Sequence, residues 1–480
     1  MSYLFKLKPV LRADIGAFVT SCLTLLVLFF LMAGELYAQR VNYESLRVRD
    51  RQPHVFIEHL ALPGKDSDEM SLLTLFRLEN NFLSYRRDHD TGSGEQQQFY
   101  AEPTIRLRIE KKTNASDNDN SDQDARTLTR VWSERVHAET YEQTRSSTSF
   151  VENMLLTNLE AGSYHIESTA LSDRRTRRQM TPDFRVPKQS ATDIAQLYFI
   201  DEQSKTPGTS PAPLMNMGDN VFFGRDHQLV IWVPEYKNTY DYHIEIDQLR
   251  IQSRDTAVVD NVMNQTLHTD EFLFGLHPEV YMHNEQPHLE LVEHSNGDGQ
   301  NAFYLLHIPN STFENAHHRI RLHKTGENDD SEILAKRSYQ SLWLDMPVSL
   351  LNLDVAVNMM RFIMSDDAHR TLRRSSDDEK ERRFHEFWKE RDPTPEKEYN
   401  ELMVEYFRRI DYTYENFTTP QQPGYESDQG QVYIRRGAPN RKEREFPPNQ
   451  PTREKWLYDD RTYVFEATTG FGDYQLIEQR

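Results

Sequence analysis

The chain has 480 residues, a single cysteine at Cys22, and 56 basic against 76 acidic side chains, for a net charge of −20 at pH 7. A lone cysteine excludes a disulfide framework, thiolate metal clusters and dithiol redox chemistry. The acidic surface repels nucleic acid and anionic lipid, so no nucleic-acid partner is expected. The length asks for about three domains rather than one core.

At the N-terminus, Lys6, Lys8 and Arg12 precede an apolar run from Ile15 to Met32, and Leu36-Tyr37-Ala38 follows. This order predicts a secretory signal over residues 1–38, cleaved after Ala38, and an exported mature chain that is periplasmic or associated with the outer membrane. The alternative is an uncleaved anchor, since about 18 apolar residues sit at the lower limit for a hydrocarbon core of roughly 30 Å. Membrane contact is expected only through this segment. Val19-Thr20-Ser21-Cys22 also has the shape of a lipobox, although the apolar run continues beyond it.

From residue 39 to 188 the pattern is one of short strands. Thr104 to Glu110 alternates, with Ile105, Leu107 and Ile109 on one face, as a half-buried strand requires. Phe56–Leu62, Leu72–Leu78 and Leu128–Val136 are further strands. Leu159-Glu160-Ala161-Gly162-Ser163-Tyr164 resembles the tyrosine corner of immunoglobulin-type sandwiches, in which the phenol bonds back to upstream backbone. Residues 113–125 are almost free of apolar side chains and predict a solvated loop. A boundary at Pro187-Lys188-Gln189-Ser190 opens a second block to residue 344, with strands at Leu229–Val233, His243–Asp247, Ala302–Ile308 and Arg319–His323, and a loop over Ser204–Pro213. The expected architecture is therefore multidomain: two antiparallel β-sandwich (immunoglobulin-like) domains, 39–188 and 189–344, followed by an α+β domain over 345–480. One large sandwich is the alternative to two.

Beyond Trp343 the period changes to that of a helix. Leu350, Leu353, Val357, Met360 and Met364 predict an amphipathic helix over Asn352–Met364. A charged helix over Asp377–Glu390 carries Phe384, Phe387 and Trp388, and Pro393 and Pro395 end it. A third helix is predicted from Glu396, with Tyr399, Leu402, Met403, Tyr406, Phe407, Ile410, Tyr414 and Phe417 at three- and four-residue spacing. Strands are then predicted at Gln431–Ile434, Lys455–Tyr458, Tyr463–Glu466 and Tyr474–Ile477.

Phe387-Trp388-Lys389-Glu390-Arg391-Asp392-Pro393 and, further on, Gly424-Tyr425-Glu426-Ser427-Asp428-Gln429-Gly430 carry a resemblance to the GWxTD domain family, with Tyr425 and Ser427 standing for Trp and Thr of its signature. The resemblance covers about residues 342–477. Its landmarks include Trp388, Arg391, Asp392, Asn400, Glu401, Glu405, Arg409, Gly424, Tyr425, Asp428, Gly430 and Tyr433, with Gly470-Phe471-Gly472-Asp473-Tyr474 as the ending. It implies an exported bacterial envelope protein and a fold, not a reaction.

Read physically, the signature is a folding device. Pro423-Gly424 forms a tight turn, Asp428 accepts amides in an Asx-type turn that launches the strand at Gln431, and Trp388 and Tyr425 cover the junction. The functional reading places Asn400, Glu401, Glu405 and Arg409 in a polar cleft facing Asp428, beside an exposed aromatic surface at Trp388 and Tyr425. Glu401 and Glu405 lie one helical turn apart, which suits an ion-paired surface as well as acid–base work.

No HExxH, Gly-x-Ser-x-Gly, P-loop or dinucleotide fingerprint is present. The histidines, including His317-His318 and His243 with His288, lack ligand spacing, so no metal or cofactor is expected. The expected function is that of a non-enzymatic exported cell-envelope protein, a structural or interaction module for an envelope protein or glycan. The alternative is a hydrolase or carbohydrate-active enzyme using carboxylates of the C-terminal domain.

Overall fold

The computed structural model describes residues 42–48, 53–64, 70–88, 99–112, 127–187, 194–201, 211–252, 255–293, 301–326, 330–448, 450–468 and 473–480. The N-terminal apolar segment with Cys22 and Ala38, the acidic stretch 113–125, residues 188–193, most of the loop at 204–213, and Gly470-Phe471-Gly472 lie outside the described residues. Among the described residues no helix is long and apolar enough to cross a membrane.

In chain order, helix α1 (Tyr43–Val48) precedes strands β1 (Val55–Pro63), β2 (Met70–Glu79), β3 (Arg86–Arg87), β4 (Phe99–Ala101), β5 (Thr104–Lys111), β6 (Thr127–Ser133) and β7 (Val136–Ala138). Helix α2 (Tyr141–Thr144) leads to β8 (Phe150–Leu159), β9 (Gly162–Ser172) and β10 (Arg175–Val186). Next come β11 (Gln196–Asp201), β12 (Ala212–Pro213), β13 (Asn220–Phe222), β14 (His227–Val233), β15 (Asp241–Gln252) and β16 (Asp255–Leu267). The run of strands closes with β17 (Leu273–Phe274), β18 (Leu276–His283), β19 (Gln286–Glu293), β20 (Ala302–Ile308), β21 (His317–Thr325) and β22 (Ser331–Leu342). Helices α3 (Leu353–Met359), α4 (Asp366–Arg374), α5 (Asp377–Lys389), α6 (Glu401–Phe417) and α7 (Asp428–Arg436) follow, then β23 (Arg441–Glu445), β24 (Arg453–Leu457), β25 (Thr462–Ala467) and β26 (Tyr474–Gln479). The architecture is mixed α and β, with antiparallel sheets and a helix-rich C-terminal stretch.

The chain divides into two compact units: Arg51–Met346 with Phe387–Glu405, and Pro347–Glu386 with Tyr406–Arg480 and the N-terminal residues to Asp50. In the first, the sheets run β1-β2-β8, β10-β9-β5-β6, β3-β4-β7, β11-β14-β20-β17, β12-β19-β18 and β13-β22-β21-β15-β16. All pairings are antiparallel except β13 with β22. Strand β5 follows its sequence: Ile105, Leu107 and Ile109 are buried and Arg106 and Arg108 are exposed. Tyr164 closes the expected corner by donating its phenol to the Glu160 carbonyl at 2.7 Å. One apolar cluster joins Ile57, Leu73, Ile105 and Ile166 to Tyr198, Trp232 and Phe303. Each such fully buried side chain contributes roughly 1.5–3 kcal/mol. Within the same unit the Arg337 guanidinium pairs with buried Glu58, and burial raises the Glu58 carboxyl against the pull of that arginine.

The second unit carries the sheet β23-β24-β25-β26 over a small cluster of Val432, Trp456, Tyr463 and Phe465. Several expectations change in the C-terminal stretch. The first helix ends at Met359, not Met364, because the chain tightens into a single 3₁₀ turn over Met360–Phe362. Helix α4, which the periodicity does not reveal, has Asp366 and Asp367 in its first turn and Arg373 and Arg374 in its last, the charge order that complements a helix dipole. The third helix starts at Glu401 rather than Glu396, because the Asn400 side chain accepts the Met403 amide at 2.9 Å and so fixes the helix start there.

Candidate functional site

The signature is built from backbone outward. Gly424–Glu426 form one 3₁₀ turn, and Ser427 caps α7, its Oγ accepting the Gly430 amide at 3.0 Å and donating to the Gly424 carbonyl at 2.7 Å. A Cβ on Gly424 would lie 1.9 Å from the Thr413 carbonyl oxygen, and one on Gly430 would lie 1.8 Å from the Gly424 carbonyl oxygen. Both glycines are therefore required by close approach of backbone. The segment Gln431–Ile434, expected as a strand, is helical. The Ser427 cap starts the helix, and Gly437 at φ 78° stops it, returning its amide to the Tyr433 carbonyl. Asp428 does not make the expected Asx turn. Its Oδ2 instead accepts the Leu476 amide of β26 at 2.8 Å and ties α7 to the sheet edge.

Tyr425 is 5% exposed, and its phenol donates to Glu44 Oε1 at 2.8 Å. Its ring meets Tyr43 edge-on at 5.6 Å and stacks near Tyr414 at 6.1 Å. Burial, with Glu44 adding, holds the phenol well above the usual tyrosine range. Beside it, Asp411 accepts the Tyr43 hydroxyl at 2.9 Å and the Val348 amide at 2.6 Å. Burial pushes this carboxyl up, while the bonds from Ser349, Tyr43 and Val348 oppose the shift.

Trp388 is 3% exposed, so neither signature aromatic offers the exposed surface expected of it. The reason is that both rings fill core positions. Arg391 lays its guanidinium 3.8 Å from the Phe387 ring and donates to the Phe387 carbonyl. Asp392 accepts the Thr394 amide at 2.9 Å. Asn400 donates to the Trp388 carbonyl at 2.9 Å while capping α6. Glu401 and Glu405 are exposed on the first turns of α6. Arg409 donates to the Ile434 carbonyl at the end of α7 and packs against Gly437. Tyr433 stacks on Tyr412 at 4.3 Å. Arg391, Asp392, Asn400 and Arg409 thus each bond to backbone.

Within the second unit, beside Tyr433, lies an open groove of about 650 Å³, lined by Tyr412, Asn416, Phe417, Gln429, Lys442, Arg444, Glu454 and Tyr474. Its floor is Glu454, which is buried and held by three donors: Oε1 accepts Trp456 Nε1 at 2.6 Å and Gln429 Nε2 at 3.2 Å, and Oε2 accepts Arg444 Nε at 2.8 Å. Lys442 Nζ stands 4.6 Å from the Trp456 ring centroid. With three donors on Glu454, what the groove presents is ring edges, amides and two cations, groups that suit recognition. Sequence reasoning missed this groove. The available signal was period two: Lys442 with Arg444 on one strand, and Glu454 with Trp456 on the next.

Among the described residues, His243, Glu245 and His323 form the one group with spacing for a metal ion. The histidine pairs singled out in the sequence do not. His318 is buried and stacked on Tyr339, while its neighbour His317 points to the other face of β21. His288 binds the Gln286 carbonyl on β19, in a different sheet from His243.

No curated protein matches the chain. A family model described as the GWxTD domain matches residues 349–477, the stretch that contains α3 to α7 and most of the last sheet. The C-terminal region of this chain is a GWxTD domain.

Proposed function

We propose that the protein is a non-enzymatic component of the cell envelope, exported by cleavage after Ala38, whose GWxTD domain binds an envelope protein or glycan segment in the groove between α6, α7 and β23. The observation that carries this reading is the Glu454 floor, held by three donors, under an aromatic and cationic rim. Tyr412, Phe417 and Tyr474 supply flat faces, and Asn416, Gln429, Lys442 and Arg444 supply polar contacts of the kind that orient a hydroxyl-rich or acidic ligand. On the same reading the sheets of residues 51–346 close as two immunoglobulin-like sandwiches over 39–188 and 189–344, a view supported by the Tyr164 corner. The signature residues then act as the frame of the groove, and Gln429 is the one residue of the signature stretch that lines it.

The test is retention of the purified mature chain on cell-wall glycan and on envelope protein extract. Lys442→Ala combined with Tyr474→Ala should abolish retention; because Tyr474 also packs against the Val432, Trp456 and Phe465 cluster, a lower melting temperature is expected, and circular dichroism at the assay temperature checks that the double variant is still folded. Undiminished retention on both materials would remove the groove from the proposal.

A further inference from the structure

Strands β15 and β21 run antiparallel in register, so that His243 stands directly opposite His323, and Ile244 opposite Leu322. Alternation sends Tyr242, Ile244 and Ile246 into the core and leaves His243 and Glu245 half-buried on the other face, while Asp247, past a register shift, is itself buried. The two imidazoles lie face to face, ring centroids 4.5 Å apart and planes within 9° of parallel. Both present Nε2 to one carboxylate, at 3.8 Å from His243 to Glu245 Oε1 and at 3.5 Å from His323 to Glu245 Oε2. His323 Nε2 is buried and makes no hydrogen bond of ordinary geometry.

We infer that His243, Glu245 and His323 bind a divalent transition-metal ion, with zinc the best match. Bonds of about 2.0–2.1 Å to imidazole nitrogen and carboxylate oxygen in a tetrahedral site place neighbouring donors about 3.4 Å apart. The three donor atoms lie within 4.8 Å of one another, and since an imidazole coordinates in its own ring plane, one of the two stacked rings must turn out of the stack for both to reach the same ion. A donor set of two imidazoles and one carboxylate selects zinc, copper, nickel or cobalt over calcium or magnesium, which prefer oxygen. All three residues are half-buried, which leaves a fourth position for water or a ligand group.

The surroundings hold the carboxylate in place. Arg321 Nη2 lies 2.8 Å from Glu245 Oε2 and 2.9 Å from Asp247 Oδ2, and Arg319 Nη2 lies 2.9 Å from Asp247 Oδ2. Arg321 therefore fixes one oxygen of Glu245 and leaves Oε1 turned to His243, the orienting role that outer-shell partners play around metal ligands. Its positive charge also opposes a dication, which argues for a moderate, exchangeable affinity instead of a permanently occupied structural site.

The test uses the full mature chain with zinc or cobalt alone. Isothermal titration should give one saturable site. Cobalt should develop the visible absorption of a four-coordinate ion with nitrogen ligands. His243→Ala and His323→Ala should each weaken binding at least tenfold, and Glu245→Gln about tenfold, while His288→Ala leaves it unchanged. Unaltered binding in the His243→Ala, His323→Ala double variant would overturn the assignment. A second measurement needs no variant: zinc should protect His243, the more exposed of the two imidazoles, from acylation by diethylpyrocarbonate, read by mass spectrometry. Equal modification of His243 with and without zinc would also overturn it.

Discussion

Strand β5 is seated by Ile105, Leu107 and Ile109, which simple alternation delivers to a large apolar cluster, whereas helix α7, which also buries Val432 and Ile434, has its start fixed by Gly424, Ser427, Asp428 and Gly430. The first region is held by area removed from water, spread over many side chains. The second is held at a few points where backbone meets backbone, or where one side chain satisfies one amide. The difference teaches where each region is vulnerable. Loss of a methylene is shared among neighbours in the sheets, but a single added carbon at the signature has nowhere to go.

The sharpest way to break the comparison is Gly430→Ala. In an ordinary helix this change would gain up to about 1 kcal/mol. Here the new Cβ meets the Gly424 carbonyl, and a loss of about 4 kcal/mol or more is expected, because the obstacle is backbone and not a flexible side chain. Hydrogen exchange should rise through residues 424–480 while residues 51–346 keep their protection. A neutral or stabilising Gly430→Ala would show that the turn relaxes freely.

A second perturbation acts on the other region. Burial lowers the imidazoles of His59 and His318 to about 4 and that of His227 to about 3, from an ordinary value of 6.5. Between about pH 6.5 and 4 the unfolded chain binds protons that these sites refuse. Their contribution to stability is therefore complete above pH 6.5 and lost as the pH falls through that window. Going from about pH 7 to 5 should cost about 1–2 kcal/mol per imidazole. The measurement is hydrogen exchange of residues 51–346 against pH, and His227→Phe with His318→Phe should flatten the slope. An unchanged slope would place the titration elsewhere.

The smallest effects sharpen the contrast. Tyr164→Phe removes one hydrogen bond to the Glu160 carbonyl and should cost about 1 kcal/mol. Ser427→Ala removes a helix cap together with a bond to the Gly424 carbonyl, and should cost about 1–2 kcal/mol. Melting curves of the two variants decide the order, and a larger loss in Tyr164→Phe would reverse it.

The strands at Phe56–Leu62, Thr104–Glu110, Leu229–Val233 and Ala302–Ile308 were legible because alternation or a continuous apolar run reports burial directly. So was the Tyr164 corner, whose bond is local. Val432-Tyr433-Ile434 misled because β-branched and aromatic residues favour strands in isolation, and the cap at Ser427 and the stop at Gly437 overrode that preference. The groove escaped because its floor joins Gln429 to Glu454, and the pairing of His243 with His323 escaped because it depends on strand register. Period two places Lys442 with Arg444 and Glu454 with Trp456 on common strand faces, but it does not say which distant residue each face meets.

Asp428 and strand β23 together determine how this last sheet can be approached. One edge of it, β23, reads Arg-Lys-Glu-Arg-Glu and is mostly exposed, a row of charges that resists pairing with another chain. At the opposite edge, β26, the Leu476 amide is already committed to Asp428. Recognition by adding a strand is thereby disfavoured at either margin. On the binding role proposed above, a ligand would have to read groove side chains rather than backbone, and those side chains can change while Gly424 and Gly430 admit no substituent.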